Sequence, residues 1–124
     1  MPLRKLTALM PLLMVASSVA QAQVAPASVQ LRCVGTEPFW SVRVNNGRMT
    51  YSTPGQVDAT LRVRSVSTAE GMSPDVVRVI RSQHARLTVI GGACSDGMSE
   101  IEYTYHAVYE HADAVLYGCC RALP

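Results

Sequence analysis

The chain has 124 residues, with 11 Lys and Arg, 9 Asp and Glu, and a formal net charge of +2. This length predicts one small domain, and the charge is far too low to indicate a protein that binds nucleic acid. Because 48% of the residues are hydrophobic, the composition also excludes an intrinsically disordered chain.

The first 22 residues have the pattern of a secretory signal peptide. A short apolar run follows Arg4 and Lys5 and ends in Ala20-Gln21-Ala22. The run has 14 residues, whereas a membrane-spanning helix needs about 20. Small residues at its end are typical of a cleavage site. We therefore expect cleavage before Gln23 and an exported, periplasmic protein without a stable membrane anchor.

Removal of residues 1–22 changes the charge balance. The remaining 102 residues contain nine Arg, no Lys and nine acidic residues, so their formal charge is zero. An even balance favours neither a nucleic acid nor an anionic membrane as a partner. The absence of Lys excludes lysine-based catalysis from the exported chain.

The four Cys all follow the signal peptide, and export makes disulfides their expected state. They are Cys33, Cys94, Cys119 and Cys120. A bond between the two adjacent Cys would close a strained eight-membered ring. Neighbouring side chains of a strand point to opposite faces, so we expect the adjacent pair to bond different partners, one Cys33 and the other Cys94. A disulfide from Cys33 to the C-terminus contributes roughly 4–5 kcal/mol in the chain-entropy model.

Strand patterns begin after a flexible leader at 23–28. Apolar and polar residues alternate at 29–33 and predict the first strand. Next, Asn46-Gly47 is typical of a type I′ hairpin turn. A two-residue turn here keeps apolar pairs on one face and polar pairs on the other. The predicted pairs are Val44 with Met49, Arg43 with Thr50, Val42 with Tyr51, and Ser41 with Ser52.

The rest of the chain continues the β pattern, and no window has strong helical periodicity. Residues 67–75 are predicted as a loop, and Gly91-Gly92 is expected to end a strand. The alternation is cleanest at 101–110. Further strands are predicted at 59–66, 76–81, 86–90 and 114–120. Seven to eight short strands indicate an all-β domain over 29–124, a small antiparallel β-barrel or sandwich stapled by disulfides.

Three blocks of residues resemble those of a known family. They are Cys33-Val34-Gly35-Thr36-Glu37-Pro38-Phe39-Trp40, Cys94-Ser95-Asp96-Gly97-Met98-Ser99 and Gly118-Cys119. In order and spacing they are similar to an uncharacterised family of bacterial periplasmic proteins and lipoproteins with Cys-x-Gly-x-Glu-Pro-Phe-Trp, Cys-x-Asp-x-Met-Ser and terminal Gly-Cys motifs. The resemblance implies a place in the cell envelope but no specific activity, and this chain differs in lacking a lipidation Cys and in adding Cys120. A looser likeness, in size, export and Cys placement, is to small periplasmic β-barrels that inhibit lysozyme and to heat-shock lipoprotein domains with a Met/Cys motif.

Two of these blocks hold the candidate ligand-binding residues. Phe39 and Trp40 offer ring surfaces for stacking, with the carboxylate of Glu37 beside them. The alternative is structural, with Trp40 in the core and Glu37 buried on backbone N–H groups at a bend. The second block offers either a ligand loop or a turn that Asp96 stabilises, with Met98 as core filler. The full candidate set is Glu37, Phe39, Trp40, Ser95, Asp96, Met98 and Ser99.

Motifs for metal binding and catalysis are missing from the sequence. His84, His106 and His111 form no metal-ligand spacing with each other or with Cys. Ser95 and Ser99 lack the surroundings of a nucleophile elbow, and the adjacent Cys pair lacks the spacer of a redox motif. We therefore expect no cofactor, no metal site and no enzyme activity.

The predicted function is that of an exported β-barrel that binds. The expected partner is an envelope protein or a small ligand. One such partner is a lysozyme-like hydrolase, which the protein would inhibit. The alternative is a metal- or redox-responsive envelope protein, which the four Cys, three His and several Met permit. Free thiols in the exported protein would favour this alternative.

Overall fold

The structure is a computed structural model that describes residues 2–17 and 24–124. Residues 2–17 are exposed and have no regular secondary structure. The predicted cleavage site at 20–23 lies outside the described residues. Within the described ranges, no helix is long and apolar enough to cross a membrane.

Nine antiparallel strands form one sheet, which confirms the predicted all-β class. The strands are β1 (Leu31–Thr36), β2 (Phe39–Asn45), β3 (Arg48–Ser52), β4 (Ala59–Arg62), β5 (Ser65–Thr68), β6 (Val77–Arg81), β7 (Ala85–Cys94), β8 (Tyr103–His111) and β9 (Ala114–Ala122). They follow the order β4-β3-β2-β1-β9-β8-β7-β6-β5, and the sheet curls into a half-barrel. The main hydrophobic core fills its inner face.

The two edge strands of the sheet, β4 and β5, are consecutive in the chain. Only Val63 and Arg64 separate them, and their N–H groups donate to Gly47 O at 2.8 Å and Arg81 O at 2.7 Å. The prediction of one strand at 59–66 is therefore wrong, because the chain changes its partner here from β3 to β6. This change accounts for a strand count of nine instead of seven to eight, and the link holds the two edges together.

The hairpin at Asn46-Gly47 has the predicted register. Val44 lies opposite Met49, and the other three predicted pairs also form. Both turn residues have positive φ angles, 51° and 74°, as a type I′ turn requires. Val44 and Met49 are fully buried, so the apolar face of the hairpin lies against the core.

The four Cys form two disulfides, and their pairing is one of those that the sequence predicts. Cys33 bonds Cys120, and Cys94 bonds Cys119. Cys33 and Cys120 lie opposite each other on β1 and β9 and are fully buried in the main core. Cys94 and Cys119 belong to a separate small cluster with Tyr103. The alternation of side chains at 119–120 thus directs the two Cys to different cores.

Strand β7 is longer than predicted, because it continues through Gly91-Gly92 to Cys94. The register with β8 shifts between Gly91 and Cys94, so the glycines form an irregularity and do not end the strand. Gly91 suits this position because a Cβ atom there would collide with the carbonyl of Asp75. The extra length brings Cys94 to Cys119 and begins a loop at 95–102.

Residues 24–28, the described part of the predicted leader, lie against the barrel. The N–H of Val24 donates to Val66 O at 3.2 Å, and the Val24 side chain packs against the main core. A short 3-10 turn follows at Pro26–Ser28.

Candidate functional site

Two of the sequence blocks meet around a cleft with a volume of about 420 Å³. Phe39 and Trp40 belong to β2, whereas Asp96 and Met98 belong to the loop at 95–102. We term this site the Phe39–Met98 cleft. It is also lined by Arg32, Val34, Gly35, Thr36, Ser41, Ser52, Thr53, Pro54 and Tyr103.

Phe39 and Trp40 point to opposite faces of β2, as neighbours in a strand do. Phe39 is 53% exposed, whereas Trp40 is 3% exposed. The Trp40 ring stacks on Tyr109 with 5.8 Å between centroids, and its Nε1–H donates to Tyr117 O at 3.3 Å. The Phe39 ring is therefore half exposed in the cleft, and Trp40 is a core residue beneath it.

Glu37 is exposed in the turn between β1 and β2. The expectation of a buried Glu37 bonded to backbone N–H groups is therefore wrong. The residue lines a second cavity of about 340 Å³ together with Ser95 and Asp96. Val34, Gly35, Thr36 and Asp96 line both cavities, so the second cavity extends the Phe39–Met98 cleft toward β9.

Asp96 gives the loop a defined shape through three hydrogen bonds. Its Oδ1 accepts from the N–H groups of Met98 at 2.9 Å and Ser99 at 2.8 Å, and its Oδ2 accepts from the Ser99 hydroxyl at 2.6 Å. These bonds, the hydroxyl first, lower the pKa of Asp96 to about 2. The same turn leaves Met98 70% exposed at the rim of the cleft.

The two candidate serines are engaged within the loop. Ser95 Oγ accepts from the N–H of Gly97 at 3.1 Å, and the Ser99 hydroxyl donates to Asp96. Ser99 lines a different cavity from the cleft, and His84 lies at another cavity beside the hairpin turn. The structure thus separates His84 from the two serines, whose hydroxyl groups bond within the loop.

Nine residues that line the cleft are outside the predicted set, among them Arg32, Val34 and Tyr103. Tyr103 is buried beneath the loop, and burial, followed by the negative charge of Asp96, raises the pKa of its hydroxyl. Arg32 and Val34 share one face of β1, which the alternation of that strand does indicate. No local feature of the sequence indicates that a loop some sixty residues later in the chain lies beside them.

Metal-ligating side chains do not cluster in the described part of the chain. No group of three or more His, Cys, Asp or Glu residues in 2–17 and 24–124 is arranged to hold a metal ion. All four Cys are in disulfides. Among the residues that line the Phe39–Met98 cleft, Arg32 and Asp96 carry a charge.

Comparison with known proteins gives no match. No protein-family model, curated protein sequence or solved structure is similar to this chain. The site is therefore interpreted from its own geometry.

Proposed function

We propose that this protein is an exported periplasmic β-domain that binds an envelope protein or a small ligand at the Phe39–Met98 cleft without catalysing a reaction. The convergence of two remote chain segments on one concave site carries the proposal. The cleft combines the exposed apolar side chains of Phe39 and Met98 with a few polar groups, which is the usual character of ligand sites. Exposed apolar side chains at a concave site favour binding.

The cleft is held in shape before any ligand arrives. The Cys94–Cys119 disulfide anchors the start of the loop, and Asp96 fixes the turn that carries Met98. A site that is already ordered loses less conformational entropy when it binds. The disulfides also support export, because such bonds persist in oxidising compartments.

The charged groups of the cleft suit binding better than proton transfer. The Asp96 oxygens are occupied by Met98 and Ser99, and its lowered pKa of about 2 lies far from the operating range of a general acid or base. Arg32 supplies the positive charge of the cleft. Its guanidinium group is suited to orient a partner by charge and hydrogen bonds, and Asp96 contributes its charge.

Variants at the cleft rim test the proposal. We expect Phe39→Ala and Met98→Ala to lose the partner that the unaltered protein captures from a periplasmic extract. Val57→Ala, at a site 96% exposed and outside the cleft, is the control and keeps it. Trp40→Ala is unsuitable because Trp40 is a core residue. If both rim variants fold with unchanged thermal midpoints and still retain every partner, the cleft is not the binding site.

A redox-responsive role is the second candidate, and one contact favours it. The Tyr117 hydroxyl lies 2.6 Å from His106 Nδ1 and 3.8 Å from Cys94 Sγ. A histidine is therefore connected through one hydroxyl to a disulfide sulfur. Thiol titration of the exported protein separates the two functions. A count of zero free thiols favours a structural disulfide, and a count of two or more favours the redox role.

A further inference from the structure

Five arginines lie on one face of five neighbouring strands, one on each strand, in two adjacent rows. Four of them are exposed and Arg121 is half-buried. Arg32 on β1 lies opposite both Arg43 on β2 and Arg121 on β9, and Arg48 on β3 lies opposite Arg62 on β4. We term this set the arginine strip.

The strip has no acidic residue on its own strands. The strands β4, β3, β2, β1 and β9 contain neither Asp nor Glu. Among the described residues, the ion pair is between Arg86 and Glu110, and neither residue belongs to the strip. Nε of Arg121 is shielded from solvent and has no acceptor among the described residues. Asp96 lies near one end of the strip, because it lines the same cleft as Arg32. The unpaired positive charge is therefore concentrated on Arg43, Arg48 and Arg62, in a chain whose residues after 22 sum to zero charge.

We infer that the arginine strip binds a linear chain of phosphate groups. Neighbouring strands are about 4.8 Å apart, so five strands span roughly 19 Å, which accommodates several phosphates in a row. A guanidinium group binds an oxyanion through two parallel N–H bonds. Each interior unit of a phosphate chain carries its negative charge and two non-bridging oxygens directly on the backbone, whereas the carboxylates of an acidic peptide lie at the ends of flexible side chains, whose ordering costs conformational entropy.

The other side chains of the strip fit the same ligand. Thr50 lies opposite Arg43 and next to Thr60, and Asn45 lies opposite Arg48. These residues add hydroxyl and amide donors to the five guanidinium groups. The rows hold no large apolar side chain, whereas a surface that docks on a membrane mixes apolar and aromatic residues with its cations. The outer face of a curled sheet is also convex, which a flexible chain follows more closely than a flat bilayer does.

The strip shares only Arg32 with the Phe39–Met98 cleft, so this inference does not depend on the function proposed there. The test variant is Arg43→Gln/Arg48→Gln, which leaves the cleft lining intact. The control is Arg81→Gln/Arg86→Gln, which removes the same charge from another pair of opposed, exposed arginines. The probe is short-chain inorganic polyphosphate, titrated by calorimetry at low and at physiological salt.

We expect the test variant to bind polyphosphate at least about tenfold more weakly, with a shallower dependence on salt, and the control to change by less than about threefold. Thermal melts check that both variants fold, and the single variants Arg43→Gln and Arg62→Gln report on the strip if the double variant does not. Equal weakening in test and control would overturn the inference. So would equally tight binding of poly-glutamate, or binding to phosphatidylglycerol vesicles without binding to polyphosphate.

Discussion

At the scale of single residues, one carboxylate determines the shape of the cleft rim. Asp96 bonds the N–H groups of Met98 and Ser99 and the Ser99 hydroxyl. Asp96→Ala removes all three bonds, so we expect the turn to lose its order and the cleft to bind its partner more weakly. Amide hydrogen exchange at Met98 and Ser99 measures this directly. Unchanged exchange at both amides would show that the carboxylate does not hold the loop.

The acid titration of the loop tests the same bonds in the unaltered protein. The pKa of Asp96 is lowered from 3.8 to about 2, because the bonds favour its charged form. The stabilisation is therefore fully present above about pH 4, the ordinary range of Asp, and is lost as the pH falls through the folded value. We expect the Met98 and Ser99 amide shifts to titrate together with a midpoint near pH 2. A midpoint close to the ordinary value would contradict the geometry.

The neighbours Phe39 and Trp40 show how much of the site follows from sequence at this scale. Strand alternation places them on opposite faces, and Val42 and Val44, on the same face as Trp40, mark that face as the inner one. The burial of Trp40 therefore agrees with the local pattern. The local pattern does not indicate what lies beside Phe39. The loop with Met98 comes from the other half of the chain, and no feature of the β2 sequence indicates its position.

At the scale of elements, predictability depends on how far away the hydrogen-bond partner lies. The hairpin at Asn46-Gly47 was predictable in register because its turn and both strands are contiguous. The division between β4 and β5 was not, because the N–H of Arg64 pairs with Arg81, a residue of another strand. The continuation of β7 through its glycines has the same explanation, since pairing with β8 overrides the local tendency of Gly91-Gly92 to interrupt a strand.

The strands of the arginine strip make a prediction about stability. Arg32 lies directly opposite Arg43 and Arg121, and like charges in such positions repel. We expect Arg32→Thr to raise the free energy of unfolding by up to about 1 kcal/mol at low salt, with a smaller gain at high salt. Urea denaturation at two salt concentrations measures this. Arg86→Thr is the control and should give no gain, because Arg86 pairs with Glu110. A loss of stability in Arg32→Thr would refute the account of repulsion.

At the scale of the whole molecule, the distribution of charge matters more than its sum. The chain after residue 22 has nine Arg and nine acidic residues, and this balance predicts no anionic partner. The fold separates the charges, because the five strands of the arginine strip carry only positive side chains. The sequence contains every arginine of the strip, but only the pairing of β1 with both β2 and β9 places three of them in one row.

The two disulfides hold the whole molecule together to different extents. Cys33–Cys120 joins residues 87 positions apart, and Cys94–Cys119 joins residues 25 apart. In the chain-entropy model these loops correspond to about 4.6 and about 3.5 kcal/mol of stabilisation. We therefore expect Cys33→Ala/Cys120→Ala to lower the free energy of unfolding more than Cys94→Ala/Cys119→Ala does.

Packing increases the difference between the two disulfides, because Cys33 and Cys120 are fully buried and their loss also opens a cavity in the main core. Urea denaturation of the two double variants gives the order of stability. Binding gives the opposite order, since Cys94–Cys119 anchors the loop that carries Met98. The variant without this second disulfide should remain folded yet lose affinity at the Phe39–Met98 cleft. A smaller loss of stability on removal of Cys33–Cys120 would mean that the long covalent loop does not dominate the stability of the barrel.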